Sequence, residues 1–212
     1  MSRPDLATIR VQYQVPDDEM IDYRPRVFGA ADIPFTESHG MTRTEGALLD
    51  RLTLDRGMVG LGNFRDIAQH AKKEAVSRYP DNAVPKDVPA SRANEWQGND
   101  GHRDAFRHAY WNAQLTQTFG ADWTRAYTTA HEGVPGNQAN REAMDLYNNS
   151  IGIQIGSAHP KAPPEALAKL VQQAVADGKM VVMNGQGALE WSDRGPAGPR
   201  RRDDRHQPFQ RA

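Results

Sequence analysis

The chain has 212 residues, a formal net charge of −1, 38% hydrophobic and 25% charged residues, and no cysteine. That suits one sizeable domain with extensions and excludes both a disulfide framework and thiol chemistry. The tail from Arg200 to Ala212 holds five Arg and two Asp, net +3, so the remainder carries −4, which argues against nucleic acid as the main partner.

Residues 1–41 read as an N-terminal extension or docking arm. Ile9, Val11, Tyr13 and Val15 alternate with Arg10, Gln12 and Gln14, the period of a half-buried strand ended by Pro16. Asp17 to Gly40 shows no clear period and reads as a surface loop. Thr42 with Glu45 fits a capping box, and Leu48, Leu49 and Leu52 follow at helical spacing. Gly57, Gly60 and Gly62 break that pattern. A second helix runs from about Asn63 to Tyr79, with Phe64, Ile67, Ala68, Ala71 and Ala75 on one face. His70 falls away from that face and reads as a surface residue. Pro80 to Gln97 reads as a loop with three prolines.

Three helical patterns then occupy Asn99 to Gly156. After them, Pro163 and Pro164 open another helix where proline is tolerated. Leu167, Leu170, Val171, Ala174 and Val175 form its apolar face, and Asp177-Gly178 ends it. Met180–Met183 and Ala188–Trp191 flank Asn184-Gly185-Gln186-Gly187 as a hairpin, with Ile9–Val15 as a candidate third strand. From Gly195 onward Gly, Pro and Arg dominate, so disorder is expected. The fold class expected is mainly α: a compact multi-helix domain over 42–194 with a small C-terminal β-hairpin, an N-terminal arm over 1–41 and a basic tail over 195–212.

The central helices carry polar residues on sides that should face inward. At about 100° per residue, Asp104, His108 and Asn112 share a stripe with Trp111, Leu115 and Phe119. Ala105, Ala109, Ala113 and Gln117 fall elsewhere and read as the outer side. Asn99 or Asp100 is the expected N-cap. In the second helix Trp123, Ala126, Tyr127, Ala130 and His131 recur at helical spacing, Glu132 sits beside them, and Gly133 and Pro135 stop the helix. In the third, Asp145, Asn149, Gly152 and Gly156 line one stripe. Asn148, Asn149 and Ser150 are poor helix formers, and two glycines in mid-helix cost about 1 kcal/mol each relative to Ala while letting another backbone approach. Local rules broken inside a long helix mark a functional site.

Taken singly, each polar residue has a structural explanation. Asp104 suits a helix N-terminus, Arg107 a solvated face, and His131 a helix C-terminus. Together they support a reactive centre. His108 paired with Asp104 or Asp145 is a general base. Asn112, Asn148 or Asn149 can donate to a developing negative charge. Arg107 can hold a phosphate or carboxylate. His108, His131 and Asp145 are alternatively the candidate ligands of a divalent metal, the one cofactor these residues suggest. The HExxH, GxSxG, P-loop and GxGxxG patterns do not occur.

The segments DAFRHAYWNA, HE and MDLYNNSIG resemble an uncharacterised family of bacterial domains with the pattern D-A-x-R-H-A-x-W-N, H-E, M-D-x-x-N-N-x-x-G. The resemblance covers about Thr42 to Asp193. It falls on Asp104, Arg107, His108, Trp111, Asn112, His131, Glu132, Asp145, Asn148, Asn149 and Gly152. Many relatives carry a basic residue soon after that glycine, where this chain has Ile153. Members occur as modules of secreted, polymorphic-toxin-like or effector-like proteins. The resemblance therefore implies a toxin or effector of bacterial antagonism, with an immunity protein and a secretion machinery as partners.

The function expected is a hydrolase acting through the His/Asp/Asn centre on a cell-envelope component, phospholipid or peptidoglycan. The alternatives are a non-enzymatic toxin or binding module, in which the polar cluster is a structural network, and a nuclease. No apolar run approaches the roughly 20 residues that span a bilayer. The start MSRPDLATIR lacks the apolar core of a signal peptide. Synthesis in the cytoplasm and export by a specialised secretion system are expected.

Overall fold

The computed structural model describes residues 3–27, 31–33, 36–81, 83–84, 86, 90 and 93–194; the basic tail expected from 195 onward lies outside them. Helix α1 (Leu6–Gln12) comes first, followed by β1 (Met20–Tyr23), β2 (Arg26–Val27), β3 (Ala31–Asp32) and β4 (His39–Thr42). Helices α2 (Arg43–Arg78), α3 (Ala93–Gln97), α4 (His102–Phe119), α5 (Ala121–Glu132), α6 (Ala139–Ala158) and α7 (Pro164–Ala176) follow. Strands β5 (Val181–Met183) and β6 (Leu189–Trp191) form the C-terminal hairpin. The fold is mainly α with a C-terminal hairpin, as the sequence led us to expect, and it carries two further two-stranded sheets near its N-terminus. Among the described residues no helix is long and apolar enough to cross a membrane.

The strand expected at Ile9–Val15 is instead α1. Its buried contacts follow a spacing of three and four, not two. Ile9 is fully buried, Leu6 and Tyr13 pack beside it, and Val11 is 77% exposed. These residues meet Met144 and Tyr147 of α6 and Trp191 of β6, so the hairpin is completed by a helix. The stretch expected as loop over 17–40 holds two antiparallel pairs, β1 with β4 and β2 with β3. These strands of two to four residues are too short to print a period, yet Tyr23 reaches the main core beside Leu49 and Leu52.

Thr42 caps α2 as read. Its hydroxyl accepts from the Glu45 N–H, and the Glu45 carboxylate accepts from the Thr42 N–H. Of the three glycines, Gly57 alone leaves helical geometry (φ 62°, ψ −164°), so α2 kinks there and continues through Gly60 and Gly62. His70 is half-buried against Tyr110 and pairs with Gln114, contrary to the surface reading. The loop expected over Pro80–Gln97 contains α3.

Helix α4 is central. It packs most extensively against α6 and also against α2, α5 and α7. Its alanine side, read as outward, is where α6 crosses. Ala105, Ala109 and Ala113 are fully buried. A Cβ on Gly152 would stand 2.2 Å from Ala109 O, and one on Gly156 2.5 Å from Ala113 O. The two glycines therefore permit the backbone approach that their cost in helix stability foreshadowed.

Candidate functional site

The close α4–α6 seam brings two polar stripes together, and the end of α5 closes over them. Asp104, His108 and Asn112 come from α4, Glu132 from α5, and Asp145 and Asn149 from α6; all are buried. The N-cap of α4 is Gly101 rather than Asn99 or Asp100. Asp100, at φ 66°, turns the chain into the helix and gives its N–H to Asp104 Oδ2 at 2.9 Å. The Asp100 carboxylate accepts two hydrogen bonds from Arg141 of α6, both 2.8 Å, which ties the two helix starts together.

The hydrogen bonds fix the state of His108. Asn112 Nδ2 donates to the His108 carbonyl (2.9 Å) and to Asn149 Oδ1 (2.7 Å), and Asn112 Oδ1 accepts from Thr128 Oγ1 (3.0 Å). Asn149 Oδ1 is thus an acceptor. His108 Nδ1, 3.2 Å away, carries the proton that reaches it. Nε2 is left with a lone pair, onto which Arg107 Nη2 donates at 2.7 Å. Burial pushes the His108 imidazole down to about 3, and the Arg107 charge adds to that shift, so the ring is neutral.

Two carboxylates flank this lone pair and a third lies across the ring. Asp145 Oδ1 lies 3.4 Å from Nε2 and Asp104 Oδ1 3.8 Å from it. Glu132 Oε1 lies 3.9 Å from Nδ1 on the other side of the ring. Burial opposes ionisation of Asp104, but Arg107 and the Asp100 N–H hold its pKa below the ordinary value. Burial raises the Asp145 pKa well above its ordinary value, and Glu132 and Asp104 push the same way. Burial lifts Glu132 to about 7 against the pull of His131. Asp145 Oδ1 is buried with no hydrogen-bond partner, whereas Glu132 Oε1 and Asn149 Nδ2, though outside hydrogen-bond distance of any partner, are close enough for the Asn149 amide to draw the Glu132 pKa down.

Residues 63–179 match the family model described as Domain of unknown function (DUF6973). The chain belongs to this family. The DUF6973 match takes in every residue of the cluster and leaves out α1, the four N-terminal strands and the hairpin. No solved structure matches this chain.

Within the DUF6973 region the structure separates the candidate residues. Asp104, Arg107, His108, Asn112, Glu132, Asp145 and Asn149 meet. Asn148 does not: its amide faces β5, donating to Val181 O at 2.8 Å and accepting from Val181 N at 2.9 Å. Successive helical residues point about 100° apart, so two adjacent asparagines cannot both face His108. Asn112 is at the site but has no free donor, which leaves Asn149 as the amide able to serve a ligand.

His131 sits at the edge. Its ring packs on Trp111 and its Nδ1 lies 2.7 Å from Glu45 Oε1, with 44% of the side chain exposed. The ligand set expected from His108, His131 and Asp145 is therefore replaced by Asp104, His108 and Asp145, whose candidate ligand atoms all lie within 4.8 Å of one another. The sequence reading missed Glu45 as the partner of His131, because the capping box already explained that glutamate. It also missed the Asp100–Arg141 pair. A surface pocket of about 550 Å³ lies elsewhere, lined by residues such as Asp18, Thr44, Asp122 and Arg125; none of the clustered residues lines it.

Proposed function

We propose that this chain is a toxin- or effector-type bacterial hydrolase that acts on a cell-envelope component, a phospholipid or peptidoglycan, through the centre around His108. The observation that carries the proposal is the unpaired Asp145 Oδ1, in a residue 6% exposed, 3.4 Å from Nε2 of a neutral imidazole. A network that only fixed packing would end with its buried polar atoms paired, since each unmade bond costs roughly 1–3 kcal/mol. An unpaired buried carboxylate oxygen beside an imidazole lone pair is arranged for something that is to be bound there.

Hydrolysis adds one water across a bond. The water oxygen goes to the acyl or phosphoryl centre and its proton ends on the leaving group. Asp104, His108 and Asp145 mark where that water is activated, and Glu132 is placed to pass the proton. Asn149 Nδ2 can donate to the oxygen on which charge develops. Arg107, 38% exposed at the edge of the cluster, suits an anionic group of the substrate. The effector context, which comes from the family resemblance in the central motifs, adds an immunity protein and export by a specialised secretion system.

A second reading is a non-enzymatic binding module. Asn112 and Asn148, both fully paired inside the fold, favour it. A nuclease is weighed against by the −4 charge outside the tail. The test is to express wild type, His108→Ala and Asp145→Asn in bacterial cytoplasm and, behind an added leader peptide, in periplasm, and to score growth and the unfolding of each purified protein. Growth inhibition that disappears in a folded Asp145→Asn supports the reading. Full toxicity in both variants refutes it.

A further inference from the structure

We propose that Asp104, His108 and Asp145 form a binding site for a single divalent transition-metal ion, Zn²⁺ or Mn²⁺, and that Arg107 occupies it as an internal cation until the metal displaces it. The inference rests on reading the cluster as a reaction centre, and names what activates the water there.

Charge points the same way as geometry. Three buried carboxylates, Asp104, Glu132 and Asp145, surround one neutral ring, and the guanidinium of Arg107 is the cation paired into them. With Arg107 turned out to solvent and all three ionised the group carries −3, which one dication reduces to −1. Buried charge that is left unbalanced is strongly unfavourable.

The donor atoms are set for coordination. His108 Nε2 presents a lone pair, because the hydrogen bond from Nδ1 to Asn149 fixes the tautomer. Such a bond from the far ring nitrogen is the usual support of a metal-bound histidine. Asp145 Oδ1 has no partner and lies 3.4 Å from Nε2. A tetrahedral ion with bonds near 2.1 Å separates its ligand atoms by about 3.4 Å, so this pair needs no rearrangement. Asp104 Oδ1, 3.8 Å from Nε2 and in a set whose ligand atoms lie within 4.8 Å of one another, must close in to complete the site. One nitrogen and two carboxylate oxygens suit Zn²⁺ or Mn²⁺; Ca²⁺ requires six to eight oxygens. Three protein ligands also leave a coordination position for water, the arrangement of hydrolytic rather than structural sites.

Arg107 stands where the ion would. Its Nη2 touches both Asp104 Oδ1 (2.5 Å) and His108 Nε2 (2.7 Å), the two atoms the metal needs. Its side chain is 38% exposed, so it can turn toward solvent at little cost. Arg107 and the metal therefore compete, and removing Arg107 strengthens metal binding.

Isothermal titration of the EDTA-stripped full chain, without tag, with Zn²⁺ and separately Mn²⁺ tests this. One equivalent of ion binds wild type; Asp145→Asn binds at least tenfold more weakly; Arg107→Gln binds several-fold more tightly. The near-isosteric Asp145→Asn and the gain in Arg107→Gln keep the test decisive even if His108→Ala fails to fold. No stoichiometric binding of either ion, or equal affinity in Asp145→Asn, overturns the site. Unchanged affinity in Arg107→Gln overturns the displacement. No substrate is involved, so a metal-free chain that still arrests growth refutes this inference alone, and a metal-binding chain with no hydrolytic effect refutes only the hydrolase.

Discussion

Gly152→Ala should destabilise this protein, although alanine is the better helix former. The added Cβ would stand 2.2 Å from Ala109 O and 2.8 Å from its Cα and carbonyl carbon. Non-bonded heavy atoms settle at roughly 3.5 Å, so α4 and α6 must separate by about 1 Å. The obstruction is the backbone of a buried helix, which cannot rotate aside. Overpacking of this kind costs about 1–3 kcal/mol or more, against a gain of at most about 1 kcal/mol in helix propensity. We expect a net loss of about 2 kcal/mol and a longer His108–Asn149 contact, now 3.2 Å. The control is Gly62→Ala in α2, where nothing lies within 4 Å of the new Cβ and a gain of about 0.5–1 kcal/mol is expected. Urea unfolding of the three proteins provides the comparison. A Gly152→Ala protein as stable as wild type would refute the close seam.

Glu132 and Asp145 hold protons in the metal-free fold at pH values where the unfolded chain has lost them. Their raised pKa values therefore make stability fall as pH rises from about 4.5 through 7. Glu132 contributes at most about 3 kcal/mol of this slope. Urea unfolding in EDTA at pH 5 and 8 should show the slope in wild type and a shallower one in Glu132→Gln. Asn148→Ala leaves two buried Val181 groups unpaired and should cost about 2–4 kcal/mol. Hydrogen exchange should show that loss at β5. His131 is held above the ordinary imidazole value, with burial opposing and Glu45 prevailing. Its favourable contribution is complete below pH 6.5 and fades as pH rises through the folded pKa, whereas that of Glu45, whose pKa is lowered against burial by His131, fades as pH falls below about 4.5. An NMR titration should find the His131 pKa lower in Glu45→Gln.

The residues that could be read from the sequence were those whose signal is local. The capping box spans four positions and fixes its own geometry. Gly152 and Gly156 stood out because they violate helix propensity where nothing local explains it. The stripes on α4 and α6 were legible for the same reason: polar residues on an apolar face require partners. What sequence could not supply was which partner. His131 lies on the inward side of α5, but its neighbour Glu45 is 86 positions away. The alanines of α4 look like an outer face until a glycine-bearing helix is laid against them. At Ile9–Val15 the apparent alternation depended on Val11 and Val15, placed by chance in step with a period of two. The helical set Leu6, Ile9 and Tyr13 is too short to outweigh it.

Mass spectrometry of the phospholipid and peptidoglycan fractions of bacteria carrying the chain in the periplasm tests the hydrolytic centre most directly. Wild type should generate hydrolysis fragments, lysophospholipids or cleaved muropeptides, that are missing from cells carrying equal amounts of folded Asp145→Asn. Identical profiles from wild type, Asp145→Asn and empty-vector cells would contradict the account.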